Sequence, residues 1–597
     1  MKTRIFSAAM MMAMTFAISC NDDTVSPQGP AGPALQENAV IVHAVMDEDM
    51  TKVTLGDDSG ASTQVHWDAD DKIGIRIDET TYTFDRTDDA VGSKTADFEY
   101  KAGGVALPTL TAGEYTFTYP AAGKAALASQ AGTKEGLKAY HYMEATFTAE
   151  EDQDWNDLPG LSFETKVAIV KLTLKNEAFK GKEVTGVTLR SAEDAYAATS
   201  VFTGSDADGS IVAYFAVEPG SLTGCVIGAT CEDDYYEASL SNNTLSAGRL
   251  YRVNKTMAKA HIDLSPVVAG VNRTANSYIV SKAGDYKFKA THKGNSTSSA
   301  VGTIKSAVVL WESFGTATAP SVGDLVKNVA YSDGYITFTA TAKEGNAVIA
   351  AKDASDKILW SWHIWLTDQP AEHVYANNAG TMMDRNLGAT SATPGDVGAL
   401  GLLYQWGRKD PFLGSSAISG YNVAKSTITW PGRVESSAET GTIAYAVTHP
   451  TTFISNADVY SNRDWYYTGD NTTDNTRWTE SENAKSVYDP CPAGWRVPDG
   501  GTDGIWNTAG FDDPTFDGTN KGKTFSNNGI EIWYPAAGYL AYDNVLSHAG
   551  TSLYCWTATP WPDSAHAINL YFKSGSQNLA TNHGMRVIGC SVRCSKE

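Results

Sequence analysis

The feature that most constrains this chain is a series of short runs in which apolar and polar residues alternate with a period of two. One run alternates aromatic residues with threonine from Tyr115 to Tyr119, and another alternates Val and Leu with Lys and Thr from Val170 to Lys175. A period of two is typical of strands with one buried and one solvated face. No long amphipathic helix stands out before Asp263, so the first half is predicted to be all-β.

Length and charge limit the remaining classes. The chain has 597 residues, which indicates about four domains at roughly 150 residues each. Its 69 acidic residues outnumber its 46 basic ones, and an acidic chain of this size repels phosphate backbones, so nucleic acid is excluded as a partner. The composition, with 53 Gly and 28 Tyr, favours strands and turns and excludes a coiled coil, a collagen and a polytopic membrane protein.

The N-terminus is typical of an exported protein. Lys2 and Arg4 precede an apolar run, residues 5–18, that is too short to span a bilayer and fits a secretory signal peptide over residues 1–19. The run ends in Ala-Ile-Ser-Cys20, which resembles a bacterial lipobox, with Ala17 where leucine is usual. The resemblance implies a lipidated Cys20, a surface-exposed lipoprotein and the outer membrane as a partner. The alternative is an ordinary signal peptide with a chance cysteine. Residues 20–35 include a Pro/Gly-rich tether.

Residues 36–258 carry several motifs in a fixed order: Val65-His-Trp-Asp-Ala-Asp-Asp-Lys-Ile-Gly-Ile-Arg-Ile77, Tyr115-Thr-Phe-Thr-Tyr-Pro120, Tyr214-Phe-Ala-Val-Glu-Pro-Gly220 and Leu245-Ser-Ala-Gly-Arg-Leu-Tyr-Arg-Val253. Together they resemble the fimbrillin-like family. The resemblance implies two tandem transthyretin-like β-sandwiches, expected over 36–158 and 159–260. It also implies a cell adhesion or fimbrium role, with other pilins as partners.

A further β-sandwich is expected over residues 261–372, where five or more strands occur at sandwich-like spacing. It ends in Ile358-Leu-Trp-Ser-Trp-His-Ile-Trp-Leu366, in which Trp360, Trp362 and Ile364 share one face. The tryptophans could form a sugar-binding platform. The favoured interpretation is a strand buried on both faces that joins this domain to the next, with His363 in a structural role.

Residues 373–597 contain four further motifs: Met383-Asp-Arg-Asn-Leu-Gly-Ala389, Gly401-Leu-Leu-Tyr-Gln-Trp-Gly-Arg408, Asp489-Pro-Cys-Pro-Ala-Gly-Trp-Arg-Val-Pro498 and Ser591-Val-Arg-Cys594. This series resembles the Fibrobacter major paralogous domain, which implies an α+β, C-type-lectin-like fold. The Gly-rich stretch 499–506 departs from the family, so a helix there is expected to be missing or shortened. The resemblance also implies a disulfide between Cys491 and Cys594, after which Cys555 and Cys590 would form a second bridge.

Known catalytic and metal-binding signatures are missing from the sequence. The Glu-Pro-Asn, Gln-Pro-Asp and Trp-Asn-Asp triplets of calcium-dependent lectins do not occur between 374 and 597, and no compact carboxylate loop supplies six to eight calcium ligands. His-Glu-x-x-His, Cys-x-x-Cys and Gly-x-Ser-x-Gly are also absent. No metal, cofactor or enzymatic activity is therefore expected, although carboxylates that pair only in space leave a hydrolase open.

A ligand site is expected on the lectin-like domain. Recognition of a sugar without a metal needs aromatic faces with polar groups at the rim. Trp561 lies in a proline-framed loop and is the first candidate, with Trp506 second. The rim is expected from one polar loop, which contains Tyr542, Asp543, Asn544 and His548. The alternative is that Trp561 only covers the edge of the core.

These observations predict a cell-surface lipoprotein adhesin whose lectin-like head binds a glycan or a host protein. Two alternatives are a structural pilus subunit and a glycan-binding accessory protein of a polysaccharide uptake system. No arginine lies between Asn21 and Arg76, whereas the resembling fimbrillins often assemble after an arginine-directed cut. A pilus tip, a terminal subunit or a stand-alone protein is therefore expected rather than a repeating shaft subunit.

Overall fold

The protein is described here by a computed structural model, which covers residues 40–46, 67–87, 93–100, 105–191, 194–232, 234–265, 267–268, 271–272, 274–455, 463–467, 474–481, 484–510, 514–527, 529–562, 565–574 and 579–597. Cys20 and the tether lie outside these residues. Within them the chain forms 46 strands and two short α-helices, so the fold is mainly β, as predicted. No helix among the described residues is long and apolar enough to cross a membrane.

The first unit is a closed barrel of seven strands in the order β1-β4-β3-β2-β5-β7-β8. It closes because β1 pairs with β4 on one side and with β8 on the other. Trp67 is buried at its centre, with edge-to-face contacts to Phe98, Tyr119 and Phe163 at 5.0–5.6 Å. The strands of this part of the chain are Ile41–Met46 (β1), Lys72–Ile77 (β2), Thr80–Arg86 (β3), Thr95–Tyr100 (β4), Gly113–Tyr119 (β5), Ser129–Gln130 (β6), Met143–Ala149 (β7) and Leu161–Thr165 (β8).

The border between the first two units is interleaved. The strand β8 lies beyond the expected boundary at 158/159, yet it pairs with β1 and β7 of the barrel. In return, Leu127 and Leu137 lie before that boundary and pack in the second core. The chain therefore crosses from one core to the other and back before β9. Short 3-10 helices at Glu135–Tyr140 and Trp155–Asp157 accompany these crossings.

The second unit is a sandwich with one core between two sheets. One sheet has the order β19-β16-β15-β10-β11-β6, with β12 paired to β10, and the other has the order β13-β9-β18. The elements are Ala168–Lys175 (β9), a 3-10 helix at Glu177–Phe179, Glu183–Arg190 (β10), Ala195–Ala198 (β11), Phe202–Thr203 (β12), Ser210–Val217 (β13), Gly220–Leu222 (β14), Val226–Cys231 (β15), Asp234–Ser239 (β16), Asn243–Leu245 (β17), Leu250–Thr256 (β18) and Ala258–Ala260 (β19).

The third unit packs two four-stranded sheets face to face, in the orders β20-β24-β27-β26 and β23-β29-β28-β25. The free edge of β25 is covered by the C-terminal unit, because Thr427 N–H donates to the carbonyl of Glu312 at 3.0 Å. The strands are Ile262–Asp263 (β20), Val267–Val268 (β21), Val271–Asn272 (β22), Ser277–Val280 (β23), Gly284–Lys289 (β24), Ser306–Ser313 (β25), Val326–Ser332 (β26), Tyr335–Ala340 (β27), Gly345–Lys352 (β28) and Ile358–Leu366 (β29).

The strand β29 is buried on both faces, as predicted. Trp360, Trp362 and Ile364 pack in the core of the third unit, whereas Trp365 packs in the core of the C-terminal unit. The indole N–H of Trp365 donates to the carbonyl of Ala389 at 2.9 Å. The alternative of an exposed sugar platform is wrong, because none of these three indoles is accessible to a ligand.

The same strand carries a buried polar chain across the contact between the two units. Asn346 Nδ2 donates to the carbonyl of Gly388 at 2.9 Å, which turns its Oδ1 toward His363. His363 Nε2 therefore donates to Asn346 Oδ1, and its Nδ1 accepts from the Ser277 hydroxyl, both at 2.9 Å. This pattern requires a neutral imidazole. His363 has the predicted structural role.

Protonation of His363 should make stability fall in acid. Burial lowers the pKa of His363 from 6.5 to about 3, so between these pH values the unfolded chain binds a proton that the folded chain does not. Stability present above pH 6.5 is then lost as the pH falls, by about 1.4 kcal/mol per pH unit. His363→Gln preserves one donor and one acceptor but removes the titrating group. Between pH 6.5 and 5 we expect this variant to lose about 2 kcal/mol less free energy of unfolding than the unchanged chain loses. Urea titrations at each pH measure this, and parallel curves for the two proteins would contradict it.

The C-terminal unit consists of short sheets around an aromatic core. The largest sheets have the orders β30-β31-β46-β37, β32-β45-β40-β41 and β42-β43-β44. Its elements are Glu372–Tyr375 (β30), Gly380–Met383 (β31), a 3-10 helix at Val397–Ala399, Tyr404–Gln405 (β32), Val434–Glu435 (β33), Ile443–Thr448 (α1), Ile454–Ser455 (β34), Thr479–Ser481 (β35), Ala484–Lys485 (β36), Trp495–Arg496 (β37), Ile505–Ala509 (α2), Gly522–Asn527 (β38), Ile530–Pro535 (β39), Tyr539–Leu540 (β40), Leu546–Ser547 (β41), Ser552–Pro560 (β42), His566–Lys573 (β43), Leu579–Met585 (β44), Gly589–Cys590 (β45) and Ser595–Lys596 (β46).

One of the two expected disulfides is present. Cys491 is bonded to Cys594, 103 residues later. The second expected bridge is wrong, because Cys555 and Cys590 are both free and buried. The physical reason is register: Cys555 lies opposite Ser591 in a parallel bridge, which places Cys590 one residue out of line. Neighbouring residues of a strand project to opposite faces, and the two thiols accordingly pack in different core clusters.

Candidate functional site

The polar loop that the sequence singled out forms the tip of the β40–β41 hairpin. Asp543 accepts a hydrogen bond from Val545 N–H at 3.1 Å, and the carbonyl of Tyr542 accepts one from the Ser455 hydroxyl. Asn544 has a left-handed backbone, with φ of 63°, a conformation that asparagine tolerates well. The loop is therefore held in one shape from both sides. The structure places Tyr542, Asp543 and Asn544 at the hairpin tip and His548 directly after β41.

Four aromatic rings in successive contact extend from this hairpin across the neighbouring strands. This tyrosine row consists of Tyr571, Tyr554, Tyr539 and His548. The centroid distances between successive rings are 4.8, 4.8 and 5.5 Å. All four side chains are half-buried, so each presents part of a ring to solvent. The row therefore combines fixed aromatic edges and faces with the polar loop at one end.

Strand pairing explains why the rings meet. Tyr554 lies directly opposite Tyr571 in the antiparallel β42–β43 pair, the position at which cross-strand side chains are in contact. A parallel bridge between Gly538 and Leu553 then sets Tyr539 beside Tyr554. Gly538 has φ of 70°, and a side chain there would meet the carbonyl of Ser547 at 2.4 Å. Only glycine fits, and this close approach fixes the hairpin against β42.

A second loop, residues 415–423, lies beside the hairpin. Gly420 N–H donates to the carbonyl of Ala549 at 3.4 Å. Tyr421 is 66% exposed at its tip, and Tyr542 and Val545 are 37% and 52% exposed on the hairpin. Exposed apolar groups that cluster in this way, with polar groups among them, mark binding surfaces more often than scattered ones do.

The surroundings of the row keep the hydroxyls of Tyr539 and Tyr554 neutral. Burial, followed by the charges of Cys590, Asp543 and the neighbouring tyrosines Tyr571 and Tyr421, raises the pKa of Tyr539. Burial also raises the pKa of Tyr554. Neutral phenols both donate and accept hydrogen bonds. The surface can therefore contact an apolar face and bond hydroxyl groups at the same time.

Trp506 does not belong to a binding surface, and this prediction is wrong. The indole is 5% exposed, and its N–H donates to the Tyr534 hydroxyl at 2.7 Å. The Gly-rich stretch shortens the expected helix to the five residues of α2 without abolishing it, and Gly510 ends it with φ of 60°. This helix turns Trp506 into a cluster with Phe525.

Trp561 lies far from the polar loop. Its ring is half-buried and stacks on the exposed imidazole of His583, with centroids 4.4 Å apart. Its backbone N–H donates to the carbonyl of His566 at 3.0 Å. Trp561 comes seven residues after Tyr554 along the same extended stretch, a separation of about 23 Å. The structure therefore does not bring Trp561 and the predicted rim residues into one site.

One cluster of carboxylates on the barrel has metal-like spacing. Asp68, Asp70 and Asp71 are the group found among the described residues with ligand atoms close enough to share an ion. The ammonium of Lys138 lies 2.8–3.5 Å from all three carboxylates. Because the lysine ammonium already lies where an ion would contact the three carboxylates, the cluster supports no metal site.

Comparison with known proteins gives matches among solved structures only. No protein-family model matches the chain, and no curated protein matches it. The chain is similar to a provisionally assigned cell adhesion protein from Bacteroides ovatus, with 15% identity, 37% of this chain and 96% of that one covered and a TM-score of 0.26. A protein of the same description from Bacteroides uniformis is 16% identical, with 38% of this chain and 97% of that one covered and a TM-score of 0.23. The minor pilin of Streptococcus agalactiae is 11% identical, with 37% of this chain and 96% of that one covered and a TM-score of 0.17. These values are too low to carry an argument about function.

Proposed function

We propose that this protein is a non-enzymatic cell-surface adhesin whose C-terminal unit binds a glycan at the tyrosine row. The observation that carries the proposal is the row itself, four half-buried rings in continuous contact with a polar loop at one end. Pyranose rings have an apolar face and a rim of hydroxyls, and aromatic rings bordered by hydrogen-bonding groups complement both.

Polar groups beside the tyrosine row would form hydrogen bonds with the hydroxyl groups of a bound sugar. Asp543 and Tyr542 lie on the exposed hairpin tip, and the row contributes phenol hydroxyls. Nδ1 of His548 is buried and has no hydrogen-bond partner among the residues that the structure describes. No ion is needed in this mode of recognition. The proposal includes a C-type-lectin-like fold for the C-terminal unit.

The remaining parts of the proposal concern where the protein acts. Lipidation at Cys20 would place it in the outer membrane and expose it to the medium, with three β units between the anchor and the C-terminal unit. Ser595–Lys596 lies between β31 and β37 in a sheet, next to the Cys491–Cys594 bond. A strand held in this way is poorly suited to exchange, which favours a tip or stand-alone role over a shaft subunit.

We expect Tyr421→Ala and Tyr539→Ala to weaken glycan binding by about tenfold each, because each removes one aromatic contact worth about 1.4 kcal/mol. A glycan array with the full chain selects the best sugar, and calorimetry with that sugar measures the variants. Tyr421 is exposed, so its replacement should leave the fold intact.

Tyr467→Ala is the matched control, since Tyr467 is an exposed tyrosine (39%) that lies neither in the tyrosine row nor in the loop of residues 415–423. Unchanged affinity in both Tyr421→Ala and Tyr539→Ala, with intact folding, would contradict the site. Loss of affinity in Trp561→Ala alone would move the site to that loop. A chain that bound a host protein and no glycan would contradict the glycan proposal.

A further inference from the structure

The loop that carries Tyr421 is closed at its base and packs against the chain beside the tyrosine row. Ser415 and Val423 form an antiparallel bridge at the base. At the tip, Gly550 has φ of 80°, and a side chain there would meet the carbonyl of Ile418 at 2.6 Å. The loop therefore lies directly against the segment that follows the β40–β41 hairpin.

Immediately after this loop, the chain is hydrogen-bonded to the third unit. Lys425 N–H donates to the carbonyl of Thr316 at 2.9 Å, and the hydroxyl of Ser313 donates to the carbonyl of Lys425 at 2.6 Å. Two residues later, Thr427 N–H donates to the carbonyl of Glu312, and the Thr427 hydroxyl accepts from Glu312 N–H, both at 3.0 Å. These bonds fix the segment after the loop to the end of β25.

The end of β25 is itself held firmly within the third unit. Glu312 and Ser313 are fully buried. The Glu312 carboxylate accepts hydrogen bonds from the N–H groups of Gly323, Leu325 and Val326 at 2.7–2.8 Å. Hydrogen bonds to an ionised acceptor are among the strong ones, so they tie the end of β25 to the start of β26. The segment after the loop is therefore bonded to a fixed support.

An aromatic contact connects the third unit to the hairpin as well. The ring of Trp311, in β25, lies 5.5 Å from that of Trp430. The Trp430 ring lies 6.0 Å from that of Phe412 and packs against a core cluster that contains Leu540 of β40 and Leu546 of β41. The third unit therefore supports both elements beside the tyrosine row, the loop by hydrogen bonds and the hairpin by apolar packing.

Support of this kind affects binding through the conformational freedom of the loop. A loop that is already held in its bound shape loses little freedom when a ligand binds. A loop released from its support must be ordered during binding. The apparent affinity then falls in proportion to the fraction of molecules in which the loop is correctly placed.

We propose that the third unit and the C-terminal unit together form the ligand-binding head, with Ser313 and Thr427 as positioning residues that hold Tyr421 beside the tyrosine row. The inference rests on the glycan binding proposed above. Neither positioning side chain needs to contact the glycan, because each acts through the backbone of the segment that follows the loop. The third unit then sets the affinity of the site in addition to connecting it to the rest of the chain.

Thr427→Val tests this contact with a small change in shape. Valine has nearly the size of threonine but no hydroxyl, so Glu312 N–H loses its acceptor, whereas Tyr421 and the hairpin are not altered. We expect the full chain to bind the sugar that ranks first on the glycan array about fivefold more weakly. When Ser313→Ala is added, we expect the loss to reach about tenfold. Calorimetry measures both variants.

Two further variants separate positioning from a general loss of stability. Thr427→Ser retains the hydroxyl and should bind the same sugar like the unchanged chain. Thr339→Val removes a hydroxyl that donates to Asp285 at 2.6 Å within the third unit, and it should also leave the affinity unchanged. If Thr339→Val weakened binding as much as Thr427→Val, the effect would not come from the loop and the proposal would be overturned.

Hydrogen exchange of the chain without sugar detects the loop directly. Ser416 N–H donates to the carbonyl of Asn422 within the loop, so its exchange reports how often the loop opens. In the variant with both Ser313→Ala and Thr427→Val, we expect exchange in residues 415–427 to be at least about fivefold faster, with β42 and β43 unchanged. Unchanged exchange in the loop would overturn the proposal, whichever sugar binds.

The outcomes also distinguish this inference from the proposed function. If Tyr421→Ala and Tyr539→Ala weaken binding but the variant with both Ser313→Ala and Thr427→Val does not, the row binds the glycan and the third unit has no part in it. If Tyr421→Ala and Tyr539→Ala leave the affinity unchanged, the proposed site is wrong, and the role assigned to Ser313 and Thr427 is overturned with it.

Discussion

Asp464→Asn should lower the free energy of unfolding by about 3–5 kcal/mol, the cost of leaving a buried charge without its partner. Asp464 is fully buried and contacts two guanidinium groups. Arg477 Nη1 donates to its Oδ1 at 2.9 Å, and Arg586 Nη1 lies 3.6 Å from its Oδ2. Asparagine has almost the same shape as aspartate, so the loss measures charge and not volume.

The surroundings make this cost large. Both guanidinium groups lie over the ring of Trp406, at 4.9 Å for Arg477 and 4.3 Å for Arg586. Buried side chains cannot recover their lost partner from water. The two cations would then repel each other at short range, in the core of the C-terminal unit.

Urea unfolding followed by tryptophan fluorescence measures this effect, because nine of the 15 tryptophans lie in residues 374–597. Glu372→Gln is the control: it removes an ion pair of 2.7 Å with Lys596 whose partners are 49% and 51% exposed. Exposed pairs contribute less than about 1 kcal/mol. If the two variants lost similar amounts, the buried network would not have the importance assigned to it.

Replacing both cysteines of the disulfide, Cys491→Ala with Cys594→Ala, should cost about 4–5 kcal/mol. The bond closes a loop of 103 residues, and in the chain-entropy model a loop of this length restricts the unfolded chain by about that amount. Urea unfolding of the C-terminal unit gives the value.

Cys555→Ala is the matched control, since it removes a sulfur equally buried but not bonded. Its cost should be limited to lost packing, about 1 kcal/mol. Peptide mapping without reductant should link Cys491 to Cys594 and find Cys555 and Cys590 as thiols. A peptide that linked Cys555 to Cys590 would contradict the structure.

The sequence predicted those parts of the fold that depend on one strand at a time. Alternation identified the β class, and apolar residues on both faces of Ile358–Leu366 predicted its double burial. The closure of the barrel could not be predicted in this way, because it depends on β1 pairing with β8 across more than 100 residues. Periodicity within a strand carries no information about its partner.

The candidate site was predicted in part for the same reason. The polar loop stands out by its composition, and three of its residues, Tyr542, Asp543 and Asn544, lie at the hairpin tip, with His548 directly after β41. The sequence does not indicate Tyr539, Tyr554 and Tyr571, because only the register between strands places them in contact. From the sequence alone, a tyrosine within a strand is expected to be a buried core residue. Trp506 is placed wrongly by the same reasoning, because a Gly-rich stretch predicts a loop, whereas Gly510 ends a short helix.

The position of the disulfide also decides how the protein would carry a mechanical load. Tyr554 lies 63 residues after Cys491 and 40 residues before Cys594. In the surface-anchored adhesin proposed above, a pull applied at the tyrosine row would therefore be shared by two arms of the chain that meet at the covalent bond. The shorter arm limits the slack that unfolding can release to about 140 Å, compared with about 210 Å for the longer arm alone. A protein that extends less under flow holds its bound ligand closer to the cell.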